Sequence, residues 1–167
     1  HLAFPASQLY SPPPSDIPAD APPMLLFQFK ENEAEAGDTL HLVVSYVPPE
    51  GLPIEYFPQG VAFALQFEGS LVQDSLTEID FPEDDQLLVA GGATRFALAR
   101  DLPPGRVEAG VANKGFPALN QARDLCTIRF VLENPLPPGH QGVFTPSMAN
   151  LLMLNAREQD MPVVFQM

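Results

Sequence analysis

The sequence predicts an all-β chain folded as an antiparallel β-sandwich of about nine strands. Three observations carry this. Apolar residues recur with a period of two in several short runs, as they do on half-buried strands. Twenty prolines and eleven glycines are spread over 167 residues, and proline removes an amide donor and blocks the preceding helical turn. Turn residues separate the runs at the spacing expected of a sandwich.

The strands follow in order. Alternation marks Met24 to Lys30, Thr39 to Val47, Val61 to Glu68, Leu87 to Val89, Thr94 to Ala99, Arg106 to Asn113, Leu125 to Glu133, Leu151 to Asn155 and Pro162 to Gln166. In the run from Val61 to Glu68, Val61, Phe63, Leu65 and Phe67 share one face, because successive strand side chains point opposite ways. From Leu125 to Glu133, Cys126, Ile128, Phe130 and Leu132 form a second apolar wall, opposed by Thr127, Arg129 and Val131. Breakers stand at Pro48-Pro49, Gly69, Pro82, Gly91-Gly92, Pro103-Pro104-Gly105 and Pro137-Pro138-Gly139. A turn or so around Ala118 to Arg123 is the one helical candidate. Cys126, the single cysteine, lies inside an apolar run and reads as an inert core residue.

Residues 1–23 differ from the rest. The first ten are apolar, with Leu2, Phe4, Leu9 and Tyr10, and require cover from water. Ser11 to Pro23 holds six prolines and is expected to run extended, reaching on the order of 40 Å at about 3.1 Å per residue. The chain thus divides into an N-terminal arm and linker, 1–23, and a sandwich domain, 24–167.

Composition limits the partners. There are 21 acidic residues against 8 basic ones, a formal net charge of −13. Such a surface repels phosphate backbones and anionic lipid, which argues against nucleic acid and membrane partners. No apolar run reaches the ~18 residues that span a bilayer. His1 in place of an initiating methionine fits signal-peptide removal, hence an extracellular or cell-surface protein, although a truncated chain would start the same way.

The order of segments resembles the cohesin-like β-sandwich domains of extracellular bacterial and archaeal proteins, over about residues 24–167. Ala36-Gly37-Asp38-Thr39-Leu40 is similar to the family's "pGDtv" strand entry, and Gly60-Val61-Ala62-Phe63-Ala64-Leu65-Gln66-Phe67 to its "Gi..f.f.l.yD" strand. Leu125-Cys126-Thr127-Ile128-Arg129-Phe130-Val131 is similar to the later "la.i.F.v" strand, and Leu151 to Phe165 to the closing hairpin. Glu68-Gly69-Ser70 stands where the family carries an Asp-Pro-like turn. The resemblance implies a jelly-roll sandwich that recognises protein through a sheet face and has no catalytic residues.

Catalytic and cofactor signals are thin. His1, His41 and His140 are far apart and lack His-x-x-x-His or Cys-x-x-Cys partners, so zinc has little support. No nucleophile elbow, Walker loop or dinucleotide fingerprint is present; Gly91-Gly92 reads as a turn. Asp80, Glu83, Asp84 and Asp85 crowd one loop with hard oxygen ligands that suit calcium, against the alternative of a solvated acidic loop. Glu31, Glu33, Glu35 and Asp38 form a second such cluster. No other cofactor is called for.

The arm is the most informative feature for function. An apolar segment on a stiff linker is the layout of strand donation, in which one subunit's arm completes the next subunit's sheet. The first expectation is therefore a secreted, non-enzymatic structural subunit that polymerises into an extracellular filament or sheath through Leu2, Phe4, Leu9 and Tyr10. The alternatives are an arm folded back on its own domain, or a linker cut from a longer protein. A cohesin-like module binding a dockerin-like partner is the second reading of function. A carbohydrate-binding domain is the third, with Tyr46, Tyr56 and Phe57 in place of the absent tryptophan.

Overall fold

The alternation in the sequence becomes two facing sheets in the computed structural model, which describes residues 9–10, 23–48, 57–73, 76–82, 94–102, 104–114, 122–139, 144–147, 152–155 and 163–166. These residues form eleven strands: β1 (Leu9–Tyr10), β2 (Met24–Phe29), β3 (Thr39–Val47), β4 (Pro58–Gln66), β5 (Glu78–Asp80), β6 (Thr94–Leu102), β7 (Arg106–Lys114), β8 (Arg123–Val131), β9 (Thr145–Pro146), β10 (Leu152–Asn155) and β11 (Val163–Gln166).

One sheet has six strands in the order β1-β11-β2-β3-β8-β5. The other runs β10-β4-β7-β6. Because β7 takes one side of β4, β9 and β10 share the other, β10 beside its first half and β9 beside Leu65 and Gln66. Among the described strands the pairings are antiparallel, as expected, except β11 with β2, which is parallel.

The core lies between the sheets. Leu40, Leu42, Val44 and Tyr46 of β3 are all fully buried and face Val61, Phe63 and Leu65 of β4 and Val107, Ala109 and Val111 of β7 across the interior. Phe27 meets Phe63 edge-on at 5.4 Å between ring centres. At one end, Phe144, which leads into β9, sits 4.9 Å from Phe130, 5.0 Å from Phe29 and 5.3 Å from Phe67. These rings tie both sheets together. Truncating Phe130, fully buried among them, should cost about 3–5 kcal/mol through lost burial and a residual cavity. Urea denaturation of Phe130→Ala checks this.

The second apolar wall forms as read, with one addition. Leu125 is buried beside Cys126 although neighbours on a strand should face opposite ways. A register shift opposite Val44 and Ser45 explains it: Val44 pairs with Cys126 and Ser45 with Asp124, leaving Leu125 as the extra residue of a bulge. Burial, followed by the nearby Asp124 charge, pushes the Cys126 thiol up to about 12, which keeps it protonated and unreactive.

Three strands escaped the sequence pattern because they are too short to show a period: Leu9–Tyr10, Thr145–Pro146 and Glu78–Asp80. Glu78–Asp80 is held at the sheet edge by charge: Arg129 of β8 reaches Glu78 at 2.5 Å and Asp80 at 2.9 Å. A short, charged edge strand also discourages edge-to-edge association. Expected Leu87 to Val89, and all of the helical candidate but its end, lie outside the described residues; Arg123, at that end, belongs to β8.

Candidate functional site

The two sheets present outer faces of different chemistry. On the six-stranded sheet the polar side chains are engaged with one another. The Glu31 carboxylate accepts the His41 backbone N–H at 2.7 Å and lies 2.7 Å from its Nδ1. Ser45 donates to Asp124 at 2.6 Å. Arg129 bridges to Glu78 and Asp80. Between these pairs stand the half-buried Leu26, Val43 and Thr127.

The outer face of the other sheet is nearly free of side chains at its centre. With Val61, Phe63 and Leu65 of β4 committed to the core, Gly60 and Ala62 lie half-buried on the outside, while Ala64 on the same side is fully buried. On β7, Val107, Ala109 and Val111 point inward, so Gly110 and Ala112 lie outside. Register sets Gly60 against Ala112 and Ala62 against Gly110. A Cβ on Gly60 would come within 3.3 Å of the Ala112 Cβ, and one on Gly110 within 3.3 Å of the Ala62 Cβ. The floor is thus as low as two paired strands allow.

Two strands flank this floor. Leu152 and Leu154 of β10 pair with Ala62 and Gly60, and Leu98 and Phe96 of β6 pair with Gly110 and Ala112. Two rows in register therefore cross the sheet, Leu152-Ala62-Gly110-Leu98 and Leu154-Gly60-Ala112-Phe96. Three strand spacings separate the outer strands, about 14 Å. An α-helix with its side chains is about 10–12 Å across. The low floor over β4 and β7 is a shallow trough of helical width.

One end of the trough is polar. Arg106 donates from Nε and Nη2 to Glu108 at 2.9 and 2.8 Å, and Arg100 pairs in register with Glu108. The β6–β7 hairpin, residues 94–114, carries four of the eight basic residues and two of the 21 acidic ones. Its net charge is +2 while the remainder of the chain carries −15. The hairpin is a basic island on an acidic protein.

Those of the residues singled out in the sequence that are described are not brought to this trough. Leu9 and Tyr10 form β1, paired with Val164 and Val163 of β11 at the edge of the six-stranded sheet of their own chain; Leu2 and Phe4 lie outside the described residues. Asp80 is a strand residue ion-paired to Arg129 rather than a member of an acidic loop, and Glu83, Asp84 and Asp85 lie outside the described residues. In the second acidic cluster, Glu31 is bound to His41 and Asp38 accepts the Glu35 N–H at 3.0 Å. Among the described residues no three His, Cys, Asp or Glu side chains converge on a common metal position. Because the Arg129 pairs are exposed on the acidic side, Asp80→Asn should cost less than about 1 kcal/mol, measurable as a melting shift of a few degrees at most.

For sugar binding, Tyr46 is a correction. It is fully buried in the core, where burial drives its hydroxyl pKa upward, so it offers no stacking surface. Phe57 is half-buried. Tyr56, like His1, His140 and Gly91-Gly92, lies outside the described residues.

The signal for the trough was present in the sequence. Gly60-Val61-Ala62-Phe63-Ala64-Leu65 alternates large apolar with very small residues, and Val107-Glu108-Ala109-Gly110-Val111-Ala112 places Gly110 and Ala112 on either side of the core residue Val111. The large members announce the core; the small ones pass as filler until β4 and β7 are seen to be adjacent.

No protein-family model matches the sequence, and no curated protein matches it. Solved structures do. A cohesin module from a family 33 glycoside hydrolase of Clostridium perfringens aligns with TM-score 0.57 and 12% identity, over 87% of this chain and 97% of that chain. The type II cohesin A11 of Bacteroides cellulosolvens aligns with TM-score 0.56 and 14% identity, over 82% and 89%. A type II cohesin–X-dockerin complex from Acetivibrio cellulolyticus contains a chain aligning with TM-score 0.53 and 10% identity, over 86% and 95%. Two facing sheets, the strand count and these alignments over most of the chain agree: the protein has a cohesin-like, jelly-roll β-sandwich fold.

Proposed function

We propose that this protein is a non-catalytic protein-docking module that receives a helix of a dockerin-like partner in the trough across β10, β4, β7 and β6. The observation that carries the reading is the strip of small residues, Gly60, Ala62, Gly110 and Ala112, paired across the centre of that sheet. Backbone groups on β4 and β7 are consumed by their ladders on both sides, so a partner cannot add a strand there and must contribute side chains instead. A helix laid in the trough offers a stripe of them. Glycine and alanine on the floor let its backbone approach closely and leave no rotamer entropy to be lost on the module's side.

The basic hairpin extends the proposal to electrostatics. A partner helix with carboxylates on its flank meets Arg100 and Arg106 at the polar end of the trough, giving orientation along its axis. The fold supports a dockerin-type occupant, since a solved complex containing a structure of this fold is a cohesin–dockerin pair. Placement outside the cell belongs to the same proposal.

The test is calorimetric titration of the chain with a panel of dockerin modules, with amide chemical shifts followed in parallel. Expected is a 1:1 complex with at least one module, with shifts confined to β4, β7 and the strands beside them. Shifts confined to the six-stranded sheet, or no binding across the panel, would overturn the reading. A second reading, self-assembly through the arm, requires Leu9 and Tyr10 to leave the β11 edge of their own chain, where they pair with Val164 and Val163.

A further inference from the structure

We propose that β6 is a self-recognition edge, along which two copies of the chain pair antiparallel, Leu98 against Leu98, to join their smaller sheets into one. This edge lies beside the trough floor, and its pairing does not depend on what the trough binds. Sheet order leaves β1 and β5 at the ends of the larger sheet, and β10 and β6 at the ends of the smaller. Three of these ends are poor templates for another chain. β1 has two residues, β5 has three with Glu78 and Asp80 held by Arg129, and β10 has four with a register shift. Short, charged or irregular edges resist pairing. β6 has none of these defences: it runs nine residues, Thr94–Leu102, in unbroken register with β7 and without proline. Among the described residues β7 is its one partner strand. Every second residue of β6 therefore turns its backbone N–H and C=O away from β7.

The sequence along that edge selects its partner. Because backbone groups alternate, an antiparallel neighbour can match only residues of like parity. With a two-fold axis at Leu98, all nine residues pair: Thr94 with Leu102, Arg95 with Asp101, Phe96 with Arg100 and Ala97 with Ala99. Symmetry repeats each pair, so Arg95 stands opposite Asp101 twice and no like charges oppose each other, the favourable cross-strand arrangement. Other centres lose this. An axis at Ala97 or Ala99 sets Arg95 or Asp101 against alanine, and an axis at Arg95, Arg100 or Asp101 sets a charge against itself. One register is thereby preferred, in an isologous and closed dimer. The axis stands normal to the sheet, so both outer faces look the same way, their floors four strand spacings apart, about 19 Å. On the function proposed above, such a dimer would carry two partner helices side by side.

Crosslinking and charge exchange test the pairing with no trough partner present. In Leu98→Cys the two thiols meet across the axis at a paired-strand separation compatible with a disulfide. In Thr94→Cys they stand eight residues apart along the strands, about 27 Å, and Cys126 is too buried to compete. Oxidation is carried out at about 0.15 M ionic strength, which screens repulsion between chains of net charge −13 beyond about 8 Å. Expected is a covalent dimer from Leu98→Cys and none from Thr94→Cys. Arg95→Asp and Asp101→Arg each set like charges opposite, and each should weaken self-association at least about tenfold by sedimentation. Mixed, the two variants restore both opposite-charge pairs and should form a 1:1 dimer. Variants are compared only where melting stays within a few degrees of the unsubstituted chain; the crosslink reads register independently of them. Equal crosslinking of both cysteine variants, a mixture no more associated than its components, or an unsubstituted chain that stays monomeric up to millimolar concentration would each overturn the proposal.

Discussion

Gly105→Ala is expected to destabilise the fold by at least about 3 kcal/mol, a melting-temperature fall of roughly 10 °C for a chain of this size. Gly105 closes the turn between β6 and β7 with φ at +76°, where an L side chain meets its own backbone. Space makes it worse. A Cβ there would overlap the Phe67 carbonyl oxygen and lie 3.0 Å from the Gly69 nitrogen, and the Phe67 N–H donates to the Gly105 carbonyl at 2.9 Å. The turn is clamped to the end of β4 and cannot withdraw without losing that bond. Gly37 and Gly139 are the controls, because each has positive φ, +92° and +78°, yet a Cβ added at either would meet nothing within 4 Å. Alanine at either should cost about 1 kcal/mol. Equal losses at all three positions would show that conformation alone governs the turn, and that the contact with Phe67 is dispensable.

Ala112→Arg is expected to weaken binding of a helical partner at least about 100-fold, equivalent to about 2.7 kcal/mol, while leaving the melting temperature within a few degrees. Ala112 is exposed, on the trough floor opposite Gly60 and Phe96. A guanidinium there fills the space a partner backbone would enter, and it must be desolvated if the partner binds regardless. Thr39→Arg, on an exposed position of the six-stranded sheet, should leave affinity unchanged. Equal loss from both substitutions would point to net charge rather than shape, and loss from Thr39→Arg alone would move the interface to the other sheet.

Much of the architecture was legible because burial leaves a period in the sequence. Thr39 to Val47 reads as a strand and is one, residue for residue, since one face meets the core and the other does not. Charge held β5 where no period could, and the bulge at Leu125 broke the alternation locally. Neither is visible without the partner strand. The acidic run around Asp80 looked like a loop for the same reason: its counter-charge, Arg129, is 49 positions away in the chain.

The candidate site was harder to see than the fold. The conspicuous apolar residues of the sequence are those of the arm, and Leu9 and Tyr10 form a strand at the edge of the sheet opposite the trough. The trough is written in small residues, which carry no chemical signal singly. Gly60 and Gly110 matter only through Ala112 and Ala62, and that pairing is a property of register.

By itself, the sequence determined the sandwich, its main strands, the inward faces of β4 and β8, and the contrast between an apolar arm and an acidic body. These follow from local spacing, because which side chains leave water is decided along a strand. Tertiary structure alone decided that β4 and β7 lie side by side, that β10 and β6 flank them, and that β11 runs parallel to β2 with β1 outside it. Pairing between distant strands is set by the packing of the whole core, and a surface composed across four strands exists only once that packing is complete.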